Sequence, residues 1–276
     1  MSAQAGRRAA GDGETRAANR AWWDAEADDY HAEHGAFLGD AGFVWGPEGW
    51  TEEELDLLAV RDGMTVLEIG AGGAQCSRWL ADRYDVRVVA SDLSRGMLRT
   101  AQRLDDDRVD AGGNGDGTAS GPLPLLQCDG GALPLADSSV DRVFTAYGVI
   151  PFVADSAGVL REAARVLRPG GRFVFSTSHP VRWAFPDVPG REGLTARTSY
   201  FDRTPYVESE GGEVTYAEHH RTLGDLVRQV VAAGLALTDL VEPEWPERNR
   251  ETWGGWSPLR GRLLPGTAIL VCDLPR

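Results

Sequence analysis

The stretch Val66–Ala81, VLEIGAGGAQCSRWLA, decides how the rest of the chain is read. An apolar run carries Glu68 near its end, turns through Gly70, Gly72 and Gly73, and restarts as a helix. Glycine at a strand-to-helix turn lets a ligand come close to the backbone, and the free amides of the helix start favour anionic groups. The dinucleotide fingerprint G-x-G-x-x-G needs its third glycine for close helix–strand packing beneath a pyrophosphate. This chain has Gln75 there, which fits poorly, and Glu68 is no part of that fingerprint. The residues alone leave a nucleotide-binding turn of another kind open.

Outward from this turn, strands and helices alternate. MTVLEIG, VRVVASD, PLLQCD, VDRVFTA and RFVFSTS read as apolar strands. Between them lie the helices AQCSRWLADR, SRGMLRTAQRL and DSAGVLREAARVL, the last ended by RPGG, while DDDRVDAGGNGDGTASG (105–121) reads as a loop. Such alternation implies a doubly wound parallel sheet covered on both faces, with right-handed crossovers. Residues 58–178 are thus expected to form the ligand-binding core, and 219–276, with the helix TLGDLVRQVVAAGL and the strands ALTDLVEPE and TAILVCDL, to complete it. Residues 1–15 read as a disordered tail, small and polar without periodicity. Residues 16–57 read as a helical cap carrying Trp22, Trp23, Tyr30 and Phe37, with Thr51 as N-cap of a further helix. Residues 179–218, rich in Pro, Gly and aromatics, break the rhythm as an insertion or lid, not a sheet layer.

Composition narrows the partners. The 276-residue chain has a net charge of −14, and every one of its 28 basic residues is Arg. An acidic surface without a basic stripe disfavours nucleic acid. The Arg- and Trp-bearing RNRETWGGWSPLRGR is diluted by Glu251 and reads as a structural loop. Three cysteines at unrelated spacings support neither zinc nor a disulfide framework, and no clustered acidic pair marks a metal site. With no apolar run of spanning length and no signal-like start, a soluble cytoplasmic protein is expected, off the membrane. The pattern is silent on oligomeric state.

Five ordered segments between residues 64 and 178 resemble class I S-adenosylmethionine-dependent methyltransferases, in particular their small-molecule, type-11-like branch. EIGAGGA follows that family's acidic–apolar–G-x-G-x-G motif through Glu68, Gly70 and Gly72, and departs from it at Ala74, where a third glycine is usual. Asp92 closes the second strand in VVASDLSRGML, CDGGALPL follows the third, DRVFTAYGVIPFV the fourth, and REAARVLRPGGRFVFS matches the helix, turn and fifth strand. The resemblance implies a Rossmann-like sheet of seven strands with the last antiparallel. It also implies S-adenosylmethionine as cofactor, with S-adenosylhomocysteine as product. Asp92 would accept from the ribose hydroxyls, with Leu93 and Met97 beside it. Asp129 would meet the adenine amino group, with Gly130 and Gly131 facing the ring. Glu68 is counted with the cofactor-binding residues of the motif; Gly70, Ala71, Gly72 and Gln75 would approach the amino-acid end, Ala146 and Tyr147 the methionine portion, and Trp22, Trp23 and Tyr30 would cap the cofactor.

Methyl transfer disperses the sulfonium charge, so an apolar, aromatic-lined site suits it, and a base helps to free the acceptor's lone pair. His220, in HHRTLGD, matches a histidine position of the branch, and His179 follows the fifth strand where α/β folds bind ligands; these two are the expected catalytic groups. Trp183 and Tyr200 are expected near the acceptor, and Trp245, Trp253 and Trp256 in C-terminal packing. AYGV after the fourth strand is not the (N/D)-P-P-(Y/F) of enzymes that methylate amino groups of nucleic acids. The acceptor implied is a small hydrophobic or aromatic molecule methylated on O, N or C, in bacterial specialised metabolism. The alternatives are a cofactor-binding protein without catalysis, marked by a filled acceptor pocket, and a nicotinamide-dependent oxidoreductase, which Gln75 disfavours.

Overall fold

The computed structural model describes residues 4–110 and 122–276. In chain order its regular elements are β1 (Gln4–Arg7), α1 (Asp12–Leu38), α2 (Glu52–Leu55), β2 (Thr65–Ile69), α3 (Gln75–Arg83), β3 (Arg87–Asp92) and α4 (Arg95–Asp110). There follow β4 (Leu125–Gln127), β5 (Val140–Thr145), α5 (Ser156–Val166), β6 (Leu167–Ser178), β7 (Tyr206–Glu210) and β8 (Glu213–Glu218). The chain closes with α6 (Leu223–Ala232), β9 (Ala236–Val241), α7 (Pro258–Gly261) and β10 (Thr267–Asp273).

Seven strands form one sheet in the order β4-β3-β2-β5-β6-β10-β9. β2, β3, β4, β5 and β6 pair in parallel, while β10 runs antiparallel between β6 and β9. Successive residues of a strand face opposite sides, so each strand feeds two cores. Leu67, Val143, Phe173, Phe175 and Leu270 pack with α5 and α6 on one face. Val66, Phe144, Val174, Ile269 and Val271 pack with Phe43, Trp45, Leu80 and Ala101 on the other. Burying a side chain of this size is worth about 1.5–3 kcal/mol. Both faces are therefore committed, and the ligand must bind at the strand ends.

Several expectations change in detail. Residues 4–15 are not a disordered tail: Gln4–Arg7 pairs antiparallel with β7, and α1 begins at Asp12. The insertion is partly a sheet layer, because β7 and β8 form a hairpin that β1 extends to three strands. Neither segment shows the alternation of a half-buried strand in an obvious form, so their pairing partner, some 200 residues apart, decides their structure. The RPGG segment lies within β6, where Gly170 adopts φ +81° and the register with β5 shifts between Leu167 and Arg172. The loop expected over 105–121 is helical as far as Asp110; 111–121 lie outside the described residues.

α1 crosses the carboxyl ends of the parallel strands. Asn19 pairs with the Ala217 backbone of β8 in both directions and donates to the Phe152 carbonyl. At the other side Asp24 accepts from Ser94 Oγ (2.7 Å) and Gly96 N (2.9 Å) at the start of α4. A Cβ on Gly96 would lie 2.5 Å from the Asp24 carbonyl, so only glycine permits this approach.

Candidate functional site

Beneath α1, at the carboxyl ends of β2, β3, β4 and β5, lies a cavity of about 340 Å³. It has a backbone-rich end and an aromatic end. Gly70, Ala71, Gly72, Gln75, Asp92, Leu93, Met97, Asp129, Gly130, Ala146, Tyr147 and Tyr30, all expected near the cofactor, are brought together in its lining. Gly70 takes φ +72° and Gly72 φ +54°, the left-handed region that glycine enters without strain. A Cβ on Gly72 would meet nothing within 4 Å, so the backbone there is bare towards the cavity. Ala74 takes φ +59° as well, yet its methyl is fully buried in the core with Cys76 and Leu80 and does not crowd the ligand.

Asp92 organises this end. Its Oδ2 accepts from Gly72 N and its Oδ1 from Ser94 N, both at 2.8 Å, so it ties the glycine turn to the start of α4. Burial pushes this carboxyl above its usual range. Each oxygen keeps a lone pair for a further donor. Asp129 accepts from Gly131 N (2.8 Å) and from Arg16 of α1 (2.9 Å). Gly131 itself borders a neighbouring recess, not the cavity.

Glu68 does not line the cavity. It is 2% exposed and accepts from both the backbone N and Oγ of Ser77 in the first turn of α3. Burial pushes its carboxyl up to about 8. It braces the turn from below. Tyr147 and Val149 are held at φ +59° and φ +51° beside Gly70, strain that non-glycine residues show where surrounding structure imposes it, often at a functional site.

Neither expected histidine reaches the cavity. His220 is 3% exposed, and its Nε2–H donates to the Tyr200 carbonyl at 2.6 Å while the ring packs on Trp183 and Tyr200. His179 is buried, accepts from Val181 N on Nδ1, and sets Nε2 2.8 Å from Glu242. Burial pushes both rings below their usual value. They hold the insertion together, as do Trp183 and Tyr200, which also stay out of the cavity. A histidine just after a strand or before a helix has the same sequence appearance in either role.

The aromatic end joins Trp23 and Phe37 of the expected cap to residues that spacing did not disclose. Trp23, Phe37, Phe152, Trp253 and Trp256 line it, the last two contrary to a purely packing role. His34 stacks on Trp253 at 4.0 Å. Arg182, Asp187, Tyr216 and Glu218 add a polar cluster. Arg182 forms ion pairs with Asp187 and Glu218, both at 3.0 Å, and its guanidinium lies 4.9 Å from the Trp183 ring centre. Burial opposes the Arg182 charge, but the two carboxylates outweigh it and hold the guanidinium above its ordinary value. Only the place of Arg182, just after the fifth strand, could have drawn attention to it.

A bare glycine turn, carboxylates at the ends of the next two strands and an aromatic chamber beside them define a class of protein: a methyltransferase of the Rossmann-like kind that uses S-adenosylmethionine. The comparisons agree. Residues 67–175 match a family model described as a methyltransferase domain. The methyltransferase GfsG of Streptomyces halstedii is 32% identical over 219 residues, 75% of this chain and 74% of its own. A demethylmenaquinone methyltransferase of Mycobacterium sp. is 35% identical over 80% of each chain. The fold also superposes on the 1,6-didemethyltoxoflavin-N1-methyltransferase of Burkholderia thailandensis with TM-score 0.58, at 16% identity, over 98% of this chain and 93% of that one. The chain belongs to the class I S-adenosylmethionine-dependent methyltransferases. It is an enzyme of the small-molecule type, and S-adenosylmethionine is its cofactor. Among the described residues no helix is long and apolar enough to cross a membrane.

Proposed function

We propose that this enzyme methylates a small, flat, aromatic or polyunsaturated acceptor in bacterial specialised metabolism, in the cytoplasm. The observation that carries this reading is the cavity of about 340 Å³, with the glycine turn at one end and Trp23, Phe152, Trp253 and Tyr216 at the other. A chamber roofed by α1 admits a small molecule and excludes a folded macromolecule or a nucleic-acid strand. The relatives named for demethylmenaquinone and didemethyltoxoflavin support an acceptor of this shape. Free cysteines at 76, 128 and 272 support a reducing compartment.

Bound at the glycine end, the cofactor supplies an electrophilic methyl group on a cationic sulfur. In this reading Asp92 holds its ribose, and Asp129 and Gly130 border its adenine. The bare backbone at Gly70 and Gly72 faces its amino-acid end, near the positive end of α3. Glu68 supports that turn without touching the ligand. Apolar walls exclude water, and aromatic faces offer their electron-rich side to the cation.

The test is a transfer assay with labelled S-adenosylmethionine against a panel of quinols, phenols and aromatic heterocycles, with protein and RNA in parallel. Label extracted with a small aromatic acceptor is the expected result. Label confined to protein or RNA would refute the proposal.

A further inference from the structure

The cavity contains a group suited to receive the acceptor's proton, and it is not a histidine. Both candidate histidines lie outside, and the titratable groups that do line the chamber divide by position. Asp92, Asp129 and Cys128 stand at the strand ends of the glycine side. Tyr30, Tyr147 and Tyr216 are all pushed up by burial, which keeps their hydroxyls protonated. Asp187 is half in solvent, its side chain 54% exposed. Glu218 remains: it lies at the end of β8, its side chain 17% exposed, inside the aromatic end.

Its surroundings fix the carboxylate. Arg182 Nη1 donates to Oε2 at 3.0 Å, and Tyr216 OH donates to Oε1 at 2.6 Å. Each oxygen therefore has one internal partner and one lone pair left for a ligand. Among the described residues Arg182 makes its ion pairs with Glu218 and Asp187, one cation against two anions. A cluster with that balance repels an anionic acceptor and welcomes a neutral donor. Tyr147 lies between the two ends, two residues before the Val149 that packs on Gly70, and its hydroxyl accepts from Ser178 Oγ at 3.2 Å.

We infer that Glu218, positioned by Arg182 and Tyr216, recognises a hydroxyl group of the acceptor and takes its proton. The inference rests on the small-molecule reading above and makes the substrate class specific: a neutral phenol, hydroquinone or enol. The O–H bond breaks, its electron pair stays on the acceptor, and the proton bonds to a Glu218 oxygen, from which it passes to water after turnover. The released pair raises the nucleophilicity of the oxygen or of the carbon conjugated with it. Arg182 is a positioning residue.

The test uses the full chain loaded with S-adenosylhomocysteine and two probes, 4-nitrophenol and 4-nitroanisole, titrated by calorimetry at a pH where the phenol is neutral. The probes differ in the hydroxyl hydrogen, which a methyl group replaces in 4-nitroanisole. A hydrogen bond to a charged acceptor is worth about 1.5–3 kcal/mol, so the phenol is expected to bind at least about tenfold more tightly. Glu218→Gln should cut that ratio to about threefold or less and leave S-adenosylhomocysteine affinity unchanged. Tyr216→Phe should raise the ratio, because Oε1 loses its internal donor; a merely structural role for the cluster would weaken both probes together. Equal affinity of the two probes for the wild type, no measurable binding of 4-nitrophenol, or a ratio indifferent to both substitutions overturns the inference. Failure of S-adenosylhomocysteine itself to bind would instead strike the assignment of the glycine end.

Discussion

Replacing Gly70 and Gly72 by alanine, one at a time, separates the two things a glycine turn does. Both residues have positive φ, so each alanine incurs about 1–2 kcal/mol of left-handed strain, offset by about 0.5–1 kcal/mol from the reduced freedom of the unfolded chain. At Gly72 nothing else opposes the methyl, since no atom lies within 4 Å of the new Cβ. The net cost should be about 0.5–1 kcal/mol, a fall in Tm of roughly 1–4 °C for a chain of this size. At Gly70 the new Cβ would sit 2.3 Å from Val149 Cγ2, and Val149 is itself held at φ +51°, with little room to move. Overpacking adds about 1–3 kcal/mol, so Gly70→Ala should lose about 2–4 kcal/mol in all. Urea unfolding with a calorimetric titration of S-adenosylhomocysteine on each variant reads both effects. Gly72→Ala should keep most of its stability and lose most of its affinity, because its methyl projects into the cavity, whereas Gly70→Ala should lose both. Equal stability of the two variants would refute the reasoning, and so would undiminished affinity in Gly72→Ala.

Asp92→Ala removes the acceptor of two 2.8 Å backbone hydrogen bonds and the proposed ribose partner. S-Adenosylhomocysteine affinity should fall by about tenfold to a hundredfold, the worth of a charge-assisted bond, as read by the same titration. Arg221 donates to the carbonyls of Ile150, Val153, Ala154 and His219, and so pins the wall that carries Phe152. Arg221→Met should destabilise by about 3–5 kcal/mol, the cost of breaking a buried network of charged hydrogen bonds, in urea unfolding; a change under 1 kcal/mol would disprove its bracing role. Two buried groups give opposite pH dependences. Glu68, raised to about 8, contributes stability that is full below its unfolded value near 4.5 and lost as pH climbs through 8. His219, lowered to about 4 by burial and by Arg221, contributes stability that is present above about 6.5 and lost as pH falls towards 4. Stability measured from pH 4 to 9 should therefore fall off on both sides, with Glu68→Gln flattening the alkaline limb and His219→Gln the acid one.

The parallel core was open to reading because its signals are local. Each strand is a short apolar run closed by Gly, Asp or Pro, and Asp92, Asp129 and Gly70 sit at strand ends where α/β folds bind ligands. The aromatic end was closed to reading because it is assembled from distant pieces. Arg182 and Glu218 meet across 36 residues, and the Trp253 loop meets α1 across some 220. Nothing in the neighbourhood of either charge announces the other. The histidines misled for a related reason: their positions relative to strand and helix were right, but a side chain after a strand can turn inwards to the insertion as easily as towards a ligand. Ala74 shows the reverse case, a departure from motif that the backbone absorbs, since its left-handed conformation aims the methyl into the core.

The pairing of Gln4–Arg7 with Tyr206–Glu210, and of Asn19 with Ala217, bears on how the chain assembles during its synthesis. The segment that roofs the chamber is made about 200 residues before the hairpin it docks on. At roughly 5–20 residues per second, α1 waits on the order of ten to forty seconds with Trp22 and Trp23 uncovered. The glycine turn and its neighbouring strands can form in that interval, but the chamber cannot close. A ribosome-bound chain lacking β8 would thus have an open, solvent-washed site. Enclosure is one of the last events in its folding, and the exposed tryptophans of the waiting helix are where a chaperone would have something to hold.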